Sequence, residues 1–327
     1  MANGGRMKRQ FVKDLKVGMA VDDVFLCVRR DVKDRRDGGQ FLTLELKDKT
    51  GTIPAIIWDR VEDALACVQA GGFYHVQGKV GDYQGKPQLT VSLIWPAAKD
   101  ELSRDDFIGV SRFDRSQLLS ELRGYIAGVR NQHLARLLAS FFDDPEFVEQ
   151  FSTAPGGAQV HHDYLSGLIE HVVFMCRNAR SIADTYPEVD RDLLIAGVIL
   201  HDVGKVKEYT YETAIDHTLD GRLIGHLVLG YEMVKARIAE HKDFPGELAR
   251  MLLHIILSHH GHLEFGSPKT PKFAEAFIVY FLDNLDARMM MFRDVVEKNP
   301  GTKWTDFHQY LETNVYIPEP KTNQKVL

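Results

Sequence analysis

A small β-barrel followed by an all-helical domain is the fold class this sequence predicts, an α+β chain of two domains. Three observations lead there. Residues 21–94 form short runs of strand-like character parted by Gly, Asp and Pro turns. From Arg115 onward the apolar spacing becomes helical. Histidines and aspartates then recur on the apolar faces of successive helices. The boundaries read as 1–96 for the barrel, 97–114 for a linker, 115–315 for the helical domain and 316–327 for a tail.

The barrel follows strand by strand. Residues 21–28 and 41–47 are strand-like, the second alternating Leu42, Leu44 and Leu46 against Phe41, Thr43, Glu45 and Lys47. Asp48-Lys49-Thr50-Gly51 is a turn and 53–58 the third strand; 60–69 is a short helix. A hairpin of 73–80 and 88–94 closes through 82–87. Five strands with one helix between the third and fourth is the order of an OB-fold, a barrel often used on oligonucleotides. The stretch 41–53 resembles the strand-turn-strand of nucleic-acid-binding OB domains. That resemblance makes Phe41 a platform for a base, with Trp58 and Tyr83 nearby, because stacking needs only a flat π-face beside positive charge. The same aromatics would equally serve to close the barrel ends. The run 29–39 alternates charge and reads as a solvated loop.

Composition bounds the partners. No run approaches the length of a membrane span, and the first ten residues are polar. Cys27, Cys67 and Cys176 are scattered and odd in number, which argues against a disulfide framework and suits a reducing cytoplasm. Residues 1–96 hold 15 Lys and Arg against 12 Asp and Glu, a net +3; the remainder holds 25 against 34, a net −9. The basic part could meet a polyanion, and the acidic part, rich in histidine, could gather metal ligands.

In the second domain, Leu118, Leu119, Leu122, Ile126 and Val129 keep helical spacing, as do Leu134, Leu137, Leu138 and Phe141. The loop 153–159 delivers His161 and His162, and 164–312 reads almost wholly as helix. The apolar helix 193–200 ends in His201-Asp202-Val203-Gly204-Lys205, with Gly204 as its stop. His171 follows Leu168 by three residues, and His226 opens another helix. His259 extends the stripe Leu248, Leu252, Ile255 and Ile256, with His260 beside it. Asp283 lies mid-helix among Phe277, Tyr280, Phe281 and Leu282, where an unpaired charge is costly. Six ligand-type positions on successive buried faces are poorly explained one at a time, and a divalent metal would explain them together.

The order His, His-Asp, His, His-His, Asp resembles the HD-domain metallophosphohydrolases. That resemblance implies a metal site of His171, His201, Asp202, His226, His259 and Asp283, with one or two ions and Asp202 as the candidate bridge. His260 is placed beside it as a second-ion ligand or phosphate contact, leaving open which of His259 and His260 ligates directly. Imidazole and carboxylate suit manganese, iron, nickel, cobalt or zinc better than calcium; manganese is the ion expected first. Lys205 would meet a non-bridging phosphate oxygen. Asp202, Lys205 and His260 are thus the expected catalytic residues. Phe41, Trp58, Tyr83, His161 and His162 are expected on the nucleic acid.

Across nearly the whole chain the sequence is similar to the YhaM-type 3′-5′ exoribonucleases. The similarity is carried by His161-His162, Gly167-Leu168-Ile169-Glu170-His171, 201–205, Gly225-His226, Leu257-Ser258-His259-His260-Gly261 and 264–268. Ser166 departs from it, standing where the family usually has glycine. The implied activity is metal-dependent removal of nucleotides from the 3′ end of single-stranded RNA or DNA, in the cytoplasm and away from membranes. Self-association as a homo-oligomer is left open. Two other readings use the same residues: a phosphodiesterase of small nucleotides with the OB domain as sensor, and a single-stranded-nucleic-acid-binding factor.

Overall fold

A computed structural model describes residues 8–35, 38–157, 163–299 and 301–319. The chain divides into two compact units, 1–109 with 211–215, and 110–210 with 216–327.

In the first unit, β1 (Ala20–Asp34), β2 (Gln40–Asp48), β3 (Gly51–Ile57), β4 (Phe73–Tyr83) and β5 (Lys86–Pro96) close a barrel in the order β1-β2-β3-β5-β4. β1 is long enough to pair with β4 through its first half and with β2 through its second, turning between them at a bulge at Cys27/Arg29. It therefore runs on through residues expected in a loop, because Arg29 to Asp34 keep pairing as far as Gln40. Leu42, Leu44 and Leu46 point into the core with Phe25, Val76 and Leu89, as their alternation requires. Helix α1 (Val61–Cys67) lies between β3 and β4 and adds Ala64 to that core. Lys8 fastens the entering chain. Its buried ammonium donates to the Val24 carbonyl at 2.6 Å and lies 3.5 Å from the Phe25 ring centroid.

The stretch read as a linker is instead partly folded against the barrel. It holds α2 (Arg104–Phe107), and Phe107 is buried with Val24 and Leu26, drawn in by apolar area that a free linker would leave wet.

The second unit is helical: α3 (Arg115–Ala127), α4 (Gln132–Phe142), α5 (Pro145–Thr153), α6 (Gly167–Thr185), α7 (Arg191–Leu200), α8 (Lys205–Glu208), α9 (Leu219–Leu223), α10 (His226–Glu240), α11 (Gly246–Ser258) and α12 (Ala274–Lys298). Asp114, Asn131, Asp144 and Asp190 start α3, α4, α5 and α7 by accepting backbone N–H groups in the first turn. Residues Leu193 to Leu200 of α7 are all buried, so this helix is the centre of the unit. Helix does not continue to residue 312: after α12 a hairpin pairs Trp304–His308 with Thr313–Tyr316.

Gly204 differs in role from the expected helix stop. Its φ of −62° is right-handed, so no left-handed turn calls for glycine there. The need is close approach, since a β-carbon would collide with the His226 carbonyl and the Gly230 amide of α10. Ser166, at the family's glycine position, does take a left-handed φ of 64° just before α6.

Candidate metal centre

Five imidazoles and two carboxylates converge in the second unit. His171 comes from α6, His201 and Asp202 from the end of α7, His226 from the first residue of α10, His259 and His260 from the end of α11, and Asp283 from α12. Helix termini supply His201, Asp202, His226, His259 and His260, while His171 and Asp283 project from within α6 and α12.

Every histidine is held by its Nδ1. His201 Nδ1 lies 2.7 Å from the Val198 carbonyl, His259 Nδ1 2.8 Å from Ile256, and His260 Nδ1 3.0 Å from Phe265. His171 Nδ1 is 2.6 Å from Asp286 Oδ2, and His226 Nδ1 is 2.9 Å from Glu208 Oε1. A carbonyl or carboxylate accepts only from N–H, so Nδ1 carries the proton and a neutral ring turns its Nε2 lone pair inward.

Those Nε2 atoms face one another. His171 and His201 stand 3.3 Å apart, and His226 and His260 3.2 Å apart. Asp202 lies between the pairs, its Oδ2 3.3 Å from His201 Nε2 and its Oδ1 3.5 Å from both His226 and His259 Nε2. Asp283 Oδ1 is 3.3 Å from His171 Nε2. Among the described residues, neither Asp202 oxygen nor His259 Nε2 meets a well-aligned hydrogen bond. Inward-facing imidazole lone pairs around a buried carboxylate make a place suited to a cation besides the Lys205 ammonium. Ligands sharing one ion at bond lengths of about 2.0–2.2 Å stand roughly 3–3.5 Å from each other, and these side chains already do. The donor set, imidazole nitrogen with carboxylate oxygen, fits a divalent transition metal.

The charges agree with that reading. Burial opposes ionisation of Asp202, but Lys205 and His201 outweigh it and hold the carboxyl well below its usual range. Burial and the neighbouring His260 push His259 down to about 3, keeping it a neutral donor. Burial also opposes a second proton on His171, yet Asp283 and Asp286 raise it to about 10, so without an ion this ring holds a proton on Nε2 as well, in the place an ion would take.

Of the residues expected at the site, His171, His201, Asp202, His226, His259, His260 and Asp283 come together. Lys205, the first residue of α8, is buried; its Nζ lies 2.6 Å from Asp202 Oδ2 and donates to the Gly156 carbonyl at 2.6 Å. His161 and His162 lie outside the described residues. In the other unit, Phe41 and Trp58 stack with ring centroids 4.8 Å apart, and the Arg35 guanidinium sits 5.2 Å from the Trp58 ring. Trp58 is 42% exposed, so the pair offers a face to solvent. Tyr83 does not join them. Parallel pairing sets Ala55 beside Leu89, so the β4–β5 tip with Tyr83 flanks the start of β3, whereas Trp58 follows its end.

Sequence reading missed Asp286 and Glu208, the two carboxylates that orient His171 and His226. A signal was present: Asp286 is three residues after Asp283 and Glu208 three after Lys205, each on the same helical face as a site residue.

A cluster able to hold metal in a helical domain joined to an oligonucleotide-type barrel points to the class, and sequence comparison agrees. The family model for the HD domain matches residues 168–288, and that for an OB-fold nucleic acid binding domain matches 28–97. The chain is 38% identical over 293 residues to the 3′-5′ exoribonuclease YhaM of Bacillus velezensis, covering 89% of this chain and 92% of that one. It is 38% identical over 291 residues to the YhaM of Listeria monocytogenes (88% and 92%), and 36% over 294 to that of Bacillus subtilis (89% and 92%). The chain belongs to the YhaM 3′-5′ exoribonuclease family. Among solved structures, the second OB-fold domain of replication protein A from Methanococcus maripaludis aligns with 28% of this chain and 95% of its own, at 24% identity and a TM-score of 0.24.

Proposed function

We propose that this protein is a metal-dependent 3′-5′ exoribonuclease that removes nucleotides from single-stranded RNA, with the HD-type helical unit hydrolysing the phosphodiester and the barrel gripping the strand. The observation that carries the reading is Asp202, whose two oxygens face different histidine sets, His171 and His201 on one side, His226 and His259 on the other. This supports two ions with Asp202 between them: His171, His201 and Asp283 would complete one set, and His226, His259 and His260 the other. Manganese is the ion proposed first, with iron, cobalt, nickel or zinc as its competitors. Such ions would supply Lewis acidity to the phosphoryl oxygens and acidify an attacking water.

The protein's own side chains do the remaining work. Nδ1 anchors fix each ring, so little reorganisation accompanies reaction. Lys205 would balance Asp202 and present its single ammonium toward a phosphate oxygen. The Phe41–Trp58 stack with Arg35 suits a base without reading its identity. The three cysteines are free, in keeping with the reducing cytoplasm proposed for the enzyme.

The test is product analysis of 5′-labelled single-stranded RNA and DNA with the manganese-loaded protein. A ladder shortening one nucleotide at a time from the 3′ end of RNA, abolished by chelator, is expected. Hydrolysis of small nucleotides with both oligomers intact would put the sensor reading in its place.

A further inference from the structure

The turn after His260 contains conspicuous residues that the metal centre does not use. Gly261 has a φ of +78°, and a β-carbon there would collide with the Tyr280 ring, which therefore lies directly against the turn. Gly266, at φ +84°, closes the turn Leu263–Phe265. The buried Ser267 ties it down, its hydroxyl donating to the Leu257 carbonyl at 3.0 Å. This construction splits Phe265 between two tasks. Its carbonyl accepts from His260 Nδ1, and its ring points away and is 58% exposed.

That ring is one end of a chain of aromatics. Phe265 meets His262 edge-on at 5.4 Å between centroids, and His262 meets Tyr280 at 5.7 Å with a 3.1 Å hydrogen bond to its hydroxyl. Tyr280 in turn lies 4.8 Å from Phe281, which is 61% exposed. The chain adjoins the centre at two points, through the Phe265 carbonyl on His260 and through Tyr280, three residues before Asp283 on α12. Phe265 is held one hydrogen bond from the His260 ring, so a base attached to a phosphodiester at the centre would come within reach of its exposed face.

We propose that Phe265, braced edge-on by His262 and through it by Tyr280, forms a base-stacking platform beside the metal centre, holding a nucleobase next to the scissile phosphate. The proposal rests on the exoribonuclease reading and adds to it a second stacking site, in the helical unit, besides the Phe41–Trp58 pair of the barrel. It places the end of the strand by a contact that every base can make.

The test is a cycle of two changes made separately and together, Phe265→Ala in the full chain and removal of the last two bases from a 5′-labelled RNA oligomer. With manganese-loaded protein, loss of the bases should lower kcat/KM for the first cleavage about tenfold. Phe265→Ala should cause a similar loss on the ordinary oligomer and none further on the abasic one; Phe265→Trp should restore the parent value. Because alanine keeps the carbonyl on His260, metal content should not change. Independently of cleavage, a 2-aminopurine at the 3′ end should be quenched on binding the chelator-treated parent and not Phe265→Ala. Additive losses in the cycle, or equal quenching by both proteins, would overturn the platform. So would a change of sedimentation with unchanged kinetics, which would give the patch to a second copy of the chain. If the parent cleaved no oligomer at all, the exoribonuclease reading would fall, and the quenching would still decide the platform.

Discussion

Asp202 is reached from opposite sides by imidazoles on four helices, so its removal should undo more than one contact. Elemental analysis of Asp202→Ala and Asp283→Ala should show loss of metal with parallel loss of phosphodiesterase activity, and full occupancy in both would sink the ligand assignment. Lys205 makes a different prediction, because its ammonium touches Asp202 and would touch phosphate charge that grows during reaction. Lys205→Ala should lower kcat by about 10²-fold with metal still bound. If metal leaves instead, the residue serves only to balance Asp202. The convergence of these side chains was legible in the sequence because histidine and aspartate are seldom carried into a core on an apolar helical face without a partner to hold them there. Their orienters were not, since Asp286 and Glu208 are ordinary acidic residues until the fold turns them onto His171 and His226.

Elements were legible where one periodicity held throughout. The alternation at 41–47 placed three leucines in the barrel core correctly, and the spacing from Leu118 found α3. Reading failed where pairing overrode composition: the charged residues at the end of β1 are strand because β2 lies beside them. Gly204 shows the same limit, since only the crossing of α10 reveals why it has no side chain. Gly204→Ala should therefore displace the backbone of His226, a candidate ligand, and lower metal content with activity; retention of both would mean that α10 yields easily. The barrel's stack is likewise a property of two elements, β2 and the end of β3. Replacing Phe41 and Trp58 together by alanine should raise KM for a long RNA by roughly tenfold or more, with kcat unchanged. Hydrolysis of a small phosphodiester should be untouched. An unchanged KM on the RNA would leave these rings as barrel ends only.

At the scale of the molecule, the two units keep separate cores, and the buried charges of the metal centre belong to one of them. The barrel holds its leucines, Phe25 and Val76 around one axis; the helical unit is centred on the buried α7, whose end carries His201 and Asp202. Without metal, His171, His201, Asp202 and His259, all buried, face each other with the Lys205 ammonium as the counter-charge to Asp202. Such a cluster costs free energy that the ions offset only while bound to the folded state. A ligand at 100 times its dissociation constant stabilises by about 2.7 kcal/mol, which shifts a transition by several degrees in a domain of this size. Calorimetry of the full chain with manganese and with chelator should therefore move the transition of the helical unit downward and leave that of the barrel in place. Phe41→Ala/Trp58→Ala, which leaves the ligands alone, identifies the barrel transition. Asp202→Ala should make the helical transition insensitive to chelator. A chelator shift carried by the barrel transition, or persisting in Asp202→Ala, would place the ions somewhere other than around Asp202.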